Sequence, residues 1–212
     1  MDIFASPLTY VISVAFGLVA LVLFLIAEKR IGFTIYEAIA ILFLSFLLGF
    51  IEIPLIVQGN TTLLVNVGGA IIPAFLGIYL IHKNRIYVET FAGIVVVVPI
   101  AYLCSHIGEN GVAYDFPLFI FPAMATALCA IIIEITSKRD GISPYIAYSV
   151  GVFSILIGGD LLRFGKLMQS GATQVVIGGG SIVDMVYITG IMAIIIDILI
   201  HREVENAAKK II

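Results

Sequence analysis

The sequence predicts an all-α protein built as a polytopic transmembrane helix bundle of about seven spans, and three observations point there. Apolar residues make up 61% of the 212 residues and charged residues only 12%, about half the share of a soluble domain. Mean hydropathy is +1.18, so too little polar surface remains to face water. The apolar runs are divided by short charged or turn-forming segments into stretches of roughly 20 residues, the length that crosses a ~30 Å hydrocarbon layer. Seven such spans leave only short loops, so residues 1–212 read as a single integral membrane domain.

In chain order the predicted spans are 7–27, 36–56, 62–82, 86–105, 116–136, 144–162 and 173–200. No Lys or Arg precedes the first, and Glu28-Lys29-Arg30 follows it as a stop-transfer cluster, so it reads as a retained helix and not a removable signal. Basic residues alternate sides. Lys29, Arg30, Lys83, Arg85, Lys138, Arg139, Arg202, Lys209 and Lys210 fall on one side, against Arg163 and Lys166 on the other. That bias predicts a cell-membrane protein with its N-terminus outside and its C-terminus in the cytoplasm. The net charge of −3 offers no basic stripe, which excludes nucleic acid as a partner and leaves the lipid bilayer. Cys104 lies near the outer end of span four and Cys129 well inside span five, depths that disfavour a disulfide. Neither has a second Cys at ligand spacing, and no cofactor motif is evident.

Two stretches look alike. Ser45-Phe-Leu-Leu-Gly-Phe50 with Val67-Gly-Gly-Ala-Ile-Ile-Pro73 parallels Ile155-Leu-Ile-Gly-Gly-Asp160 with Gly178-Gly-Gly-Ser-Ile-Val-Asp184, at an offset of 110 to 111 residues. Four intervening crossings preserve orientation, so a parallel 3 + 1 + 3 plan follows: halves 7–82 and 116–200 around a linker span, 86–105.

Ionisable residues inside the spans mark functional candidates, because a bare carboxylate there costs several kcal/mol. Glu52, Asp160 and Asp184 fall toward the outer half; Glu37, Glu134 and Asp197 fall near the inner ends. Glu134 and Asp197 lie near Lys138, Arg139 and Arg202, suiting an interfacial ion-pair layer. Gly178-Gly-Gly180 disfavours a regular helix, so the last helix is expected to restart at Ser181 as N-cap, with Asp184 in its first turn. The restart brings Asp184 to the depth of Asp160. Gly151, Ser154 and Gly158 form a small-residue face for close helix packing. Asn66, beside Gly68 and Gly69, is expected to reach the same outward-facing crevice, and Pro73 to loosen the helix that follows. Arg163, three residues beyond Asp160, is that carboxylate's local partner in a purely structural reading.

Ser143-Pro-Tyr-Ile-Ala-Tyr148 through Gly158-Gly-Asp-Leu-Leu162, with Ile177-Gly-Gly-Gly-Ser-Ile-Val-Asp184 and Gly190, resembles a prokaryotic membrane family known only as domain of unknown function 1614. Asn66-Val-Gly-Gly-Ala-Ile-Ile-Pro73 is similar to that family's earlier motif. The family pattern before the last Asp is Gly-Gly-Ala-Gly-Thr-Phe-Asp. Gly180, Ser181 and Ile182 depart from it here, while Asp184 keeps its place. This resemblance implies a multi-pass membrane protein and supplies no activity. A fainter likeness is to presenilin-type intramembrane aspartyl proteases, which place one Asp on each of two successive helices. Their second Asp follows Gly-x-Gly directly, whereas here Asp184 comes three residues later.

Three functions stay open. One is a transporter of a small solute, coupled to a proton or cation, with Asn66, Gly68, Gly69, Asp160, Arg163, Gly179, Gly180, Ser181 and Asp184 lining an outward-facing site. Another is an aspartyl hydrolase in which Asp160 and Asp184 are catalytic and share a proton. The third is a membrane scaffold without chemistry. The balance leans away from an enzyme, and the residues name no metal, substrate or oligomeric state.

Overall fold

The computed structural model describes residues 21–108, 111–169, 172–180 and 184–211. The chain is mostly helical. Helix α1 covers residues 21–30, and α2 (Ile35–Leu48) starts at a capping box in which the Thr34 hydroxyl accepts from the Glu37 amide while the Glu37 carboxylate accepts from the Thr34 amide. A hairpin follows, β1 (Glu52–Gln58) and β2 (Thr61–Asn66), then a π-helical turn Val67–Ile71 that leads into α3 (Ile72–Asn84). Next come α4 (Tyr87–Cys104), the short hairpin β3 (Ser105–Ile107) and β4 (Val112–Tyr114), and α5 (Ile120–Ser137). Helix α6 (Ser143–Ser154) runs on through a π-helical turn Ile155–Asp160 and a 3-10 turn Leu161–Arg163 into α7 (Phe164–Leu167). Strand β5 (Gln174–Ile177) and α8 (Met185–Ile211) complete the described elements.

The all-α expectation is therefore corrected, since five strands lie at one end of the bundle. Span 36–56 is helical only to Leu48, and 62–82 and 173–200 each begin as a strand. Pro54 cannot continue a helix, the flanking residues are β-branched, and Gly59-Asn60 supplies a two-residue turn with Gly59 at φ +61°. The pairing irregularity between Pro54 and Ile56 absorbs the missing proline donor. Pro73 sits in the first turn of α3, where it costs no hydrogen bond, so it starts that helix and does not loosen it. Strand β5 pairs in parallel with β2, Thr62 opposite Gln174 through Val65 opposite Ile177.

Helix α6 is the centre of the bundle. Ile146, Ala147, Tyr148, Val150 and Val152 on it are fully buried, packed by α3, α4, α5 and α8. Its small-residue face meets two neighbours: a Cβ at Gly151 would fall 3.0 Å from the Gly190 Cα on α8, and one at Gly158 would fall 2.5 Å from the Val98 carbonyl on α4. The outer surface is apolar, with Phe43, Phe46, Val88, Phe91, Ile132 and Ile135 exposed, a distribution suited to lipid. Four helical stretches among the described residues are long and apolar enough to cross a bilayer: Tyr87–Cys104, Ile120–Ser137, Ser143–Leu167 and Met185–Glu203. Helix α2 is apolar but shorter.

The end opposite the sheets is basic. There Arg139 pairs with Glu89 at 2.6 Å and donates to the Asn84 and Arg85 carbonyls, which locks α5 to the α3–α4 turn. The interfacial layer expected around Glu134 and Asp197 takes other partners. Glu134 accepts from the Ser143 amide, Asp197 accepts from the Ser143 hydroxyl, and His201 lies 3.5 Å from both carboxylates. Both cysteines are free.

Candidate functional site

The strand end of the bundle holds an open cleft of about 310 Å³, lined by Glu52 of β1, Gly108 and Gly111 of the β3–β4 turn, Val112, Ala113, Val176, Gly179, Gly180 and Asp184. Local chain chemistry creates it. Gly178 adopts φ +72°, a left-handed conformation natural to glycine, and its α-face rests on the π-helical turn, where a Cβ would come within 2.6 Å of the Ala70 nitrogen. Residues 178–180 form a turn, so the chain leaves β5 without helix and α8 begins afresh.

Asp184 is the residue that starts α8. Its Oδ1 accepts from the Val186 amide at 2.9 Å, its Oδ2 accepts from the Gly180 amide at 3.1 Å, and its carbonyl accepts from the Ile188 amide. This is N-cap geometry, three residues later than the restart expected at Ser181. Ser181 itself lies outside the described residues. The positive end of a long helix thus faces the cleft with a carboxylate seated on it.

Asp160 ends the π-helical turn and is 8% exposed. A Cβ at its neighbour Gly159 would press on the Tyr114 hydroxyl, leaving no room for a side chain, and would fall 3.6 Å from the side chain of Val112, a residue that lines the cleft. Asp160 and Asp184 are close enough to repel one another, and both act on Tyr114. Burial, followed by Asp160, raises the Tyr114 pKa above the usual phenol value, so the hydroxyl keeps its proton and remains a donor. Tyr114 faces Ser105 across the β3–β4 pair.

Arg163 turns away from Asp160. Its Nε donates to the Ser105 hydroxyl at 2.9 Å, its guanidinium donates to the Tyr102 and Ser105 carbonyls, and it stacks 4.3 Å over the Tyr102 ring. The orphan carbonyls at the C-terminus of α4 account for this choice. No ion pair joins it to Asp160, which corrects the local-partner expectation.

Asn66 is also corrected as a lining residue. It is 1% exposed, and both ends of its amide are used: Oδ1 accepts from the Gly69 amide at 2.9 Å and Nδ2 donates to the Gly49 carbonyl at 2.7 Å. Gly68 and Gly69 are buried in the π-helical turn, with Gly68 pressed on the Ser45–Gly49 backbone. These three residues build the floor under the sheet. Of the predicted set, the structure brings Gly179, Gly180 and Asp184 to the cleft, sets Asp160 behind it, and assigns Asn66, Gly68, Gly69 and Arg163 to structural contacts.

Sequence reasoning missed Tyr114 and the β3–β4 hairpin, and it left Glu52 outside the set. The hairpin's signal was the polar, glycine-bearing stretch Ser105–Gly111 between two apolar runs. Among the described residues, no group of three or more His, Cys, Asp or Glu side chains is placed to hold a metal ion.

No curated protein and no solved structure matches the chain. A family model does match, over residues 14–196, most of the sequence and all of the elements that build the cleft. The chain belongs to the family described as protein of unknown function DUF1614.

Proposed function

We propose that the protein is a small-solute transporter of the cell membrane, coupled to a proton or cation that binds at Asp160 and Asp184 in an outward-facing cleft. The observation that carries this reading is the placement of two carboxylates at helix breaks, Asp160 buried and Asp184 half-buried at the cleft, with the nearby Arg163 bound to carbonyls of α4 and Glu52 adding a third carboxylate at the rim. Breaks of this kind in membrane helices are where transporters place coupling ions and substrates. Lone intramembrane carboxylates facing a cavity mark ion or proton routes.

In this reading the chain crosses seven times with its N-terminus outside and its C-terminus in the cytoplasm, as the basic bias indicates. The parallel pairing of Thr62 with Gln174 is an offset of 112 residues, close to the 110 to 111 of the sequence repeat. It supports halves 7–82 and 116–200 that meet along β2 and β5, with α4 as the linker span. Gly179 and Gly180 supply backbone groups to the solute.

Proteoliposomes carrying a trapped pH dye and an imposed pH gradient test the proposal. Wild-type protein should pass protons, or sodium in a parallel isotope assay, faster than protein-free vesicles, and Asp160→Asn and Asp184→Asn should each abolish the excess. Flux at the empty-vesicle rate for both ions, or full flux in both variants, would overturn it. The same Asp pair, one at the cleft and one behind it, also favours an aspartyl hydrolase as second reading. That reading requires cleavage of a co-embedded single-span peptide that both Asn variants lose.

A further inference from the structure

We propose that the basic end of the bundle holds an anionic phospholipid, its phosphate in the cleft between α1 and α8 and an acyl chain along the adjoining groove between α1 and the start of α2. This site is independent of Asp160 and Asp184. The cleft is about 490 Å³ and is lined by Lys29, Arg30, His201 and Arg202 above Ile26 and Ile198. On both helices the same step faces it: Arg30 lies four residues beyond Ile26 and Arg202 four beyond Ile198, so one helical turn separates a basic rim from an apolar floor. That layering matches a headgroup over its acyl region.

The charge is available. His201 is taken up by Asp197 and Glu134 at 3.5 Å each, but Lys29, Arg30 and Arg202 join no ion pair among the described residues. Arg30 acts on Asp197, which is fully buried behind it, and no acid lines the cleft itself. Of the two acids adjacent in sequence, Glu28 is fully buried and turned into the core, and Glu203 is exposed, lies outside the cleft lining and joins no ion pair among the described residues. Two guanidinium groups and an ammonium converging on one opening suit a phosphate, which arginine can grip with paired N–H donors.

The second observation separates a lipid from a free anion. A groove of about 400 Å³, lined by Val22, Leu25, Ile26, Phe33, Ile35 and Lys29, shares Ile26 and Lys29 with the basic cleft. An apolar channel continuous with a basic one is what a phospholipid fills and inorganic phosphate does not. Basic openings between membrane helices on the cytoplasmic side recognise acidic headgroups in this way.

Native mass spectrometry of the delipidated full chain in neutral detergent tests the site with three probes: phosphatidylglycerol, phosphatidylcholine and inorganic phosphate. Phosphatidylglycerol should be retained and phosphatidylcholine should not. The double variant Arg30→Gln/Arg202→Gln should weaken retention roughly 10- to 30-fold, whereas Arg30→Lys/Arg202→Lys keeps most of it. Lys138→Gln/Lys166→Gln removes the same charge elsewhere and should leave binding unchanged. Equal loss in that control, equal retention of phosphatidylcholine, or displacement of the lipid by phosphate at the same concentration would each overturn the proposal.

Discussion

Replacing Asn66 with alanine tests whether this residue belongs to the scaffold or to a ligand site. Its amide makes two hydrogen bonds, to the Gly69 amide at 2.9 Å and the Gly49 carbonyl at 2.7 Å, and the residue is 1% exposed. Truncation removes both bonds and leaves a buried N–H and a buried C=O without partners. Each orphan costs about 1–3 kcal/mol, and side-chain hydrogen bonds in membrane proteins average about 0.6 kcal/mol by double-mutant cycles, so the loss should reach about 2–4 kcal/mol. Asn66→Asp should cost at least as much, because it keeps the acceptor for Gly69 but sets a carboxylate oxygen against the Gly49 carbonyl. Equilibrium unfolding in mixed micelles, read by circular dichroism, gives the number directly. A loss under about 0.5 kcal/mol for Asn66→Ala would refute the capping argument, since the two backbone groups would then have found other partners.

Asp184→Ala should destabilise by about 1 kcal/mol through loss of the α8 N-cap while Asp184→Asn spares most of it, so thermal melting of the pair separates capping from any charge effect in flux. Gly159→Ala should cost about 1–3 kcal/mol because its methyl meets the Tyr114 hydroxyl, and Tyr114→Phe should recover part of that loss; strict additivity in the double variant would contradict the contact. Arg163→Gln should loosen the β3–β4 hairpin, seen as faster amide exchange at 105–114, and leave the Asp160→Asn phenotype unchanged. A single cysteine at Asn60, in a background lacking Cys104 and Cys129, should be labelled from outside intact cells; labelling only after permeabilisation would reverse the orientation.

Hydropathy made the membrane bundle legible because length and apolar content are local properties of each run, and α4, α5 and α6 begin close to where the runs predict. It could not separate strand from helix in 52–66. Both are apolar there, and only Pro54 and the Gly59-Asn60 pair between β-branched runs distinguish them. The glycine run 178–180 was a reliable sign of a break, but the new helix takes Asp184 as its cap because that side chain reaches back to the Gly180 amide as well. Asn66 and Arg163 were misassigned for one reason: a polar side chain inside a membrane protein satisfies the nearest free backbone groups first, and those groups come from Gly49, Gly69, Tyr102 and Ser105. Three of the four lie at the ends of other elements, which sequence spacing does not reveal. Tyr114 escaped notice because its role depends on the contact with Gly159, 45 residues away in the chain.

The central claim is that Asp160 and Asp184 converge on one cleft, and cysteine bridging measures that convergence most directly. In the background lacking Cys104 and Cys129, the pair Asp160→Cys/Asp184→Cys in native membranes should be joined by a short bifunctional thiol reagent spanning under about 10 Å, the range over which two carboxylates can share a proton or cation. An engineered cleavage site after Met168, which lies between them in the chain, makes the bridge visible as an uncut band on a denaturing gel. Quantitative bridging there, with none for Asp184→Cys paired with a cysteine at Asn60, is the predicted result. Complete separation of the fragments, with both thiols individually reactive, would contradict the account.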